Sequence, residues 1–294
     1  MTPLLKGSIL VLISAVGYGL MPLFSRAAYA EGVSVNTLLF YRFLVASILL
    51  WAMYYFSGPK TTAPTKHKLY LAALGAVGYF LPSVTLFIAY ERLHSSVATL
   101  ILFIHPIFVV FFETLLFKTK LTLSKGISVL LTAVGLWIVL AKPDIKIDNL
   151  GLILSFAAAI TYSIYCLGLY EKRTQKTNTL YVTAFVLSTC CLMNFIYLLP
   201  NPSSFLLPNP NALFAVLSLA IVGTLIPAIA FNAGLKLVGP GSATIISTVE
   251  PIIVALAGTF ILKEVFTQKL LIGGLIILVA ITLIQFQPAK QNIH

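Results

Sequence analysis

Apolar runs of about 20 residues, separated by short polar breaks, make up almost the whole chain. They fall at 5–24, 34–56, 69–90, 95–117, 124–141, 149–170, 178–199, 212–235, 240–262 and 268–286. Each is long enough to cross a bilayer as a helix. The runs are continuous rather than alternating, which favours helices over the strands of a barrel. The breaks carry turn chemistry: Ser57-Gly58-Pro59, Lys142-Pro143-Asp144, Pro200-Asn201-Pro202 and Gly239-Pro240-Gly241. The pattern predicts an all-α membrane protein of ten transmembrane helices.

The pattern also repeats. Gly7, Ile9, Leu10, Ala15 and Tyr18 recur 144 positions later as Gly151, Ile153, Leu154, Ala159 and Tyr162. Further along the offset is 145: Gly78 and Pro82 match Gly223 and Pro227, and Ala98, Thr99, Pro106 and Ile107 match Ala243, Thr244, Pro251 and Ile252. The chain therefore divides into two five-helix repeats, 1–144 and 145–294. An odd number of spans per repeat places the second repeat upside down relative to the first. Inverted repeats with helix-breaking residues at matching positions are the pattern of secondary transporters, whose sites lie at the repeat interface.

Composition supports lipid as the main solvent. Only 9% of the 294 residues are charged and mean hydropathy is +1.01, against about 25% charged in soluble domains. The net charge of +11 is carried by short loops between spans, so it sets orientation and does not point to nucleic acid. Twelve of the nineteen Lys and Arg residues lie on the face of the N-terminus. Positive loops favour the cytoplasm, so both termini are expected inside a bacterial-type inner membrane. The first run, with Lys6 before it and Ala28-Tyr29-Ala30 after it, superficially resembles a signal peptide. Its recurrence at 151–173 marks it as a retained span. Cys166, Cys190 and Cys191 fall inside apolar runs, without metal spacing, and read as small buried hydrophobes. No nucleotide-binding loop, metalloprotease motif or dinucleotide fingerprint occurs. No metal, cofactor or enzymatic activity is expected, and active transport would draw on an ion gradient.

Within this scaffold a few polar residues stand out. Glu250 lies near the middle of 240–262, about ten residues or 15 Å from either end. A carboxylate at that depth is expensive and marks a functional site by default. His105 is its counterpart in the other repeat, and each precedes a proline. The two are candidates for substrate binding and for proton coupling. Arg42, early in the second span, either snorkels to the interface or faces the cavity and holds a carboxylate or phosphate. Tyr18 and its repeat mate Tyr162, together with Tyr79, lie inside spans and offer π faces to a cation, with aromatic packing as the alternative. Asn232 is a further polar candidate. Pro22, Pro82, Pro106, Pro227 and Pro251 are candidate kinks or gates. Glu113 is expected to pair with Lys118. Glu91, Arg92, Glu171 and Glu264 sit at span ends and are expected at the interface. Gly75, Gly78, Gly223 and Gly258 are expected to permit close helix contact.

The chain resembles the EamA-type members of the drug/metabolite transporter superfamily over nearly its whole length. The resemblance rests on Tyr41-Arg42-Phe43 early in the second span, Val249-Glu250-Pro251-Ile252-Ile253 followed by Lys263-Glu264, and Gly273-Gly274 opening the last helix. Thr119 or Lys120 stands where the family often has a Glu after the fourth span. The resemblance implies a carrier of small metabolites, with amino acids or related compounds and export favoured. The expected mechanism is alternating access, working as a monomer or homodimer. The alternative is a flippase for a lipid or lipid-linked intermediate, which would need a lateral opening to lipid.

Overall fold

The computed structural model describes residues 2–57, 63–105, 107–108, 111–112, 123–140, 148–169, 172–200, 205–238, 246–247, 249–264 and 266–285. Among them the secondary structure is helical throughout. In chain order the helices are α1 (Pro3–Gly19), α2 (Met21–Ala30), α3 (Val35–Phe56), α4 (Thr65–Ala73), α5 (Leu81–Arg92), α6 (Ser95–Leu102), α7 (Leu123–Leu140), α8 (Asn149–Leu169), α9 (Lys172–Lys176), α10 (Thr179–Leu198), α11 (Pro210–Ala220), α12 (Ile226–Val238), α13 (Val249–Phe260) and α14 (Gln268–Gln285). Among the described residues, six stretches are long and apolar enough to cross a membrane: Leu4–Ala30, Val35–Phe56, Thr65–Arg92, Asn149–Leu169, Thr179–Leu198 and Pro210–Gly234. Gly126–Gly135, Val249–Phe260 and Gln268–Ala280 are apolar but shorter.

Local chemistry starts these helices where the polar breaks lie. Thr2, Ser34, Asn178 and Asn209 each accept a hydrogen bond from a first-turn backbone N–H of the helix that follows. Asp148 does the same for α8, accepting from the Gly151 N–H at 2.8 Å. That bond, helped by Arg92 at 3.4 Å, holds the Asp148 carboxyl below the usual carboxylate range. Proline opens α1 and α11, where its missing N–H costs nothing.

Several apolar runs prove to be bent. The first bends at Leu20, between α1 and α2, with Pro22 in the first turn of α2. Ala28-Tyr29-Ala30 therefore lies within helix. The third and eighth runs each contain a π-helical stretch, Leu74–Phe80 and Ile221–Leu225. In both cases a helix carrying proline at its second position follows, Pro82 in α5 and Pro227 in α12. The two π stretches stand at equivalent places in the sequence repeat, and such insertions collect at functional sites. The run 95–117 is not one straight helix: α6 ends at Leu102 and turns through Phe103 and Ile104 before His105.

Tight pairs build the bundle: α1 with α12, α3 with α10, α5 with α8, and α7 with α14. A large buried cluster runs through its middle, including Leu38, Phe43, Leu50, Phe87 and Leu187. Large apolar side chains such as Trp137, Phe214 and Phe260 point outward, as a lipid-facing surface requires.

Candidate functional site

The residues singled out in the sequence mostly converge on the middle of the bundle. Tyr18 from α1, Tyr79 from the first π stretch, and Tyr162 and Tyr165 from α8 surround a small internal cavity. Thr183 from α10 and Asn232 from α12 complete its polar lining, and the Asn232 amide donates to the Thr183 hydroxyl at 2.9 Å. Val186, Leu187, Ala228 and Phe231 close the rest. The walls thus come from α1 and the third run of the first half, and from α8, α10 and α12 of the second.

The tyrosines form a connected set. Tyr79 meets Tyr165 edge to face at 5.2 Å between ring centroids, and Tyr162 and Tyr165 lie 5.8 Å apart. Gly78 makes the first contact possible: a Cβ there would lie 2.9 Å from the Tyr165 Cα. The cavity is about 10 Å³, room for about one water. No metabolite fits in this conformation, so a substrate would have to be admitted by movement of the surrounding helices.

His105 forms the next layer. It is buried, its Nδ1 lies 3.1 Å from the Leu102 carbonyl, and its ring meets Tyr162 edge to face at 4.9 Å. Its backbone carbonyl accepts from the Ser163 hydroxyl at 3.0 Å. Glu250 is the second residue of α13, and Ile246 and Ser247 ahead of it are helical too. The Glu250 backbone carbonyl packs against α1, 3.3 Å from where a Cβ on Gly19 would lie. No hydrogen bond or ion pair joins His105 to Glu250 among the described residues. Pro251 is buried in the same turn as Glu250, and Pro106 lies outside the described residues, as do Glu113, Lys118, Thr119, Lys120 and Glu171.

Arg42 does not snorkel. It is 2% exposed and its Nε donates to the Thr224 hydroxyl at 2.7 Å, with Nη2 3.3 Å from the Met21 sulfur. Its guanidinium carbon lies 5.1 Å from the Phe43 ring centroid and 4.9 Å from that of Phe87. Phe43 in turn touches Tyr79 edge to face at 6.1 Å. Arg42 thus lies one aromatic ring from the cavity wall, and no carboxylate pairs with it among the described residues. Its partner Thr224 sits in the second π stretch, at the position that matches Tyr79 in the repeat.

Sequence reasoning missed Tyr165, Thr183 and Thr224. Tyr165 follows Tyr162 by three residues and so shares its helix face, a signal that was present in the sequence. Glu264 was expected at the interface. Instead its side chain is 9% exposed and accepts from Ser95 and Ser96 of the other half. Cys190 is buried with its thiol 3.5 Å from the Gly75 carbonyl, and all three cysteines are free.

Comparison with known proteins agrees with this architecture. The model of the EamA-like transporter family matches the chain twice, at residues 5–141 and 149–286. An uncharacterized inner membrane transporter of Salmonella typhimurium, YicL, is 22% identical over 293 residues, covering 97% of both chains. An uncharacterized transporter of Archaeoglobus fulgidus is 23% identical and covers 91% of this chain and 95% of its own. YcbK of Bacillus subtilis, also an uncharacterized transporter, is 23% identical, covering 88% and 86%. Among solved structures, a crystal structure that is 18% identical shares the fold, with a TM-score of 0.69 over 94% of this chain and 95% of that one.

Proposed function

The chain belongs to the EamA-like transporter family and is a multi-pass membrane transporter, not an enzyme; from that premise we propose that it carries a small polar metabolite by alternating access. The observation that carries this reading is the tyrosine-walled cavity, built from both halves and too small here for a solute. Two inverted five-helix repeats, ten spans in all, would rock about this cavity. The paired π stretches and the kinks at Pro22, Pro82 and Pro227 would absorb the bending.

Amino acids or related compounds are the substrate class we favour. Arg42 offers a guanidinium suited to a carboxylate, while Glu250 and the tyrosine faces suit an amine. The Asn232 and Thr183 pair supplies neutral hydrogen-bonding groups between them. Export with both termini cytoplasmic is the direction we assign, on the loop charges and the family resemblance. Proton coupling through Glu250, with His105 as a second candidate, completes the scheme. It rests on the contact of His105 with the cavity residue Tyr162 and on the repeat that pairs His105 with Glu250.

Thermal shift of the purified protein in detergent tests the reading. The panel holds amino acids, polyamines, nucleosides, nucleotide sugars and lipid head groups, with Glu250→Gln in parallel. A ligand that binds only the folded state raises the melting temperature with dose. The expected result is a rise with amino acids or amines that Glu250→Gln reduces. A rise with lipid head groups alone would replace this reading with the flippase.

A further inference from the structure

Glu264 lies in the turn after α13, in the second half, yet its bonds are to the first half. Oε1 accepts from the Ser95 N–H at 2.9 Å and the Ser95 hydroxyl at 2.6 Å. Oε2 accepts from the Ser96 hydroxyl at 3.2 Å and lies 3.5 Å from the Ser96 N–H. Ser95 opens α6, so a carboxylate from one repeat caps a helix of the other, where the dipole favours negative charge. Arg26 reinforces the contact. Its Nη2 donates to the Leu93 carbonyl at 2.6 Å and lies 4.0 Å from Glu264 Oε1.

The turn is shaped for this contact. Lys263 takes φ of +55°, rare for a residue with a side chain. The Glu264 N–H folds back onto the Gly258 carbonyl at 2.9 Å. A Cβ on Gly258 would lie 2.7 Å from Glu264 Oε2 and 3.0 Å from the Ser96 hydroxyl, so a side chain there would displace the carboxylate from its place between the two helices.

The sequence repeat does not carry the same residues at the matching positions. At the offset of 145, Ser95 and Ser96 correspond to Pro240 and Gly241, and Glu264 to Thr119. Proline has no N–H, glycine has no hydroxyl, and threonine has no charge. The carboxylate and its two serines are thus not duplicated in the sequence of the other repeat.

We propose that Glu264, seated on Ser95 and Ser96 and backed by Arg26, is a one-sided latch that holds the two halves together on the face expected outside and biases the resting transporter towards closure there. The proposal rests on the alternating-access reading for its role, and on the contact itself for its existence. In an inverted repeat the two end states would otherwise be related by the pseudo-two-fold axis and similar in energy, and an asymmetric latch sets which one is populated without substrate.

Paired spin labels test it. One pair, Glu91→Cys with Gln268→Cys, spans the latched face. A second, Lys66→Cys with Lys176→Cys, spans the opposite one. Both are placed in a background with Cys166, Cys190 and Cys191 replaced by alanine, and distances are read by pulsed electron resonance. Glu264→Ala is expected to raise the long-distance population of the first pair by about tenfold or more, since each bond to a charged group is worth at least that factor. Ser95→Ala with Ser96→Ala, which keeps the carboxylate, is expected to do the same to a lesser degree and stands in if Glu264→Ala does not fold. Unchanged distributions in these variants, with melting temperatures like the parent's, would overturn the latch. Lengthening of the first pair with matching shortening of the second supports both latch and alternating access. Lengthening of the first with the second unmoved supports the latch and counts against the carrier mechanism.

Discussion

Replacing Thr224 with valine would remove a hydroxyl that holds two groups at once in the centre of the bundle. The Thr224 oxygen accepts from Arg42 Nε at 2.7 Å and donates back to the Leu219 carbonyl of α11 at 3.0 Å. The first bond is to a charged, 2%-exposed guanidinium, and such bonds contribute about 1.5–3 kcal/mol. The second is neutral and intramembrane, for which about 0.6 kcal/mol is usual. Contacts of Arg42 with Phe43 and Phe87 survive the change. The expected cost is thus about 2–3 kcal/mol, a shift of the unfolding equilibrium by a factor of roughly 30–150. Thr85→Val is the control, because the Thr85 hydroxyl bonds only carbonyls of its own helix, and about 0.6 kcal/mol should be lost. Reversible denaturation in mixed micelles measures both. If Thr224→Val falls within about 0.5 kcal/mol of Thr85→Val, the bond to Arg42 carries no charge-assisted weight, and the argument that Arg42 is fixed beside the cavity fails.

Three further outcomes follow from the same geometry. Gly78→Ala should cost about 1–3 kcal/mol, because its Cβ would meet the backbone of Tyr165, whereas Gly126→Ala, with nothing within 4 Å, should be neutral or stabilising by up to about 1 kcal/mol; thermal unfolding of the two variants separates them. Asn232→Ala removes the amide that bonds Thr183 in the cavity wall, and any ligand found by thermal shift should bind about tenfold more weakly, the loss expected of one hydrogen bond; unchanged affinity would place the ligand elsewhere. The Asp148 carboxyl is held below its ordinary range by the Gly151 N–H and then by Arg92. Its contribution to stability is therefore present above the unfolded value of about 4 and is lost as pH falls through the lower folded value. Asp148→Asn should flatten the acid limb of a melting-temperature profile below about pH 4 and leave its slope near neutrality unchanged.

Much of this arrangement was legible in the sequence because lipid imposes simple rules. Continuous apolar runs had to be helices, and a carboxylate and an imidazole deep inside them read as inward-facing. His105, Tyr18, Tyr79, Tyr162 and Asn232 do line the cavity or its next layer. What was hidden depends on partners far apart in the chain. The expected interfacial place of Glu264 follows from its position at a span end. Only the fold brings it to Ser95 and Ser96, which lie 169 and 168 residues away in sequence. Arg42 was equally open to snorkelling or burial until Thr224 was seen opposite it. That partner depends on a π stretch, which apolar periodicity does not encode. The paired prolines marked where the runs bend, but not that a π stretch precedes each.

The account turns on one cavity reached alternately from two faces. Ala228, small and buried in the cavity wall, is the position for a single cysteine in the cysteine-free background. Labelling by a membrane-impermeant maleimide would be followed in right-side-out and inside-out vesicles. The account predicts reaction from both faces, with Glu264→Ala accelerating it on the latched face. Reaction from one face only, in parent and variant alike, would contradict alternating access.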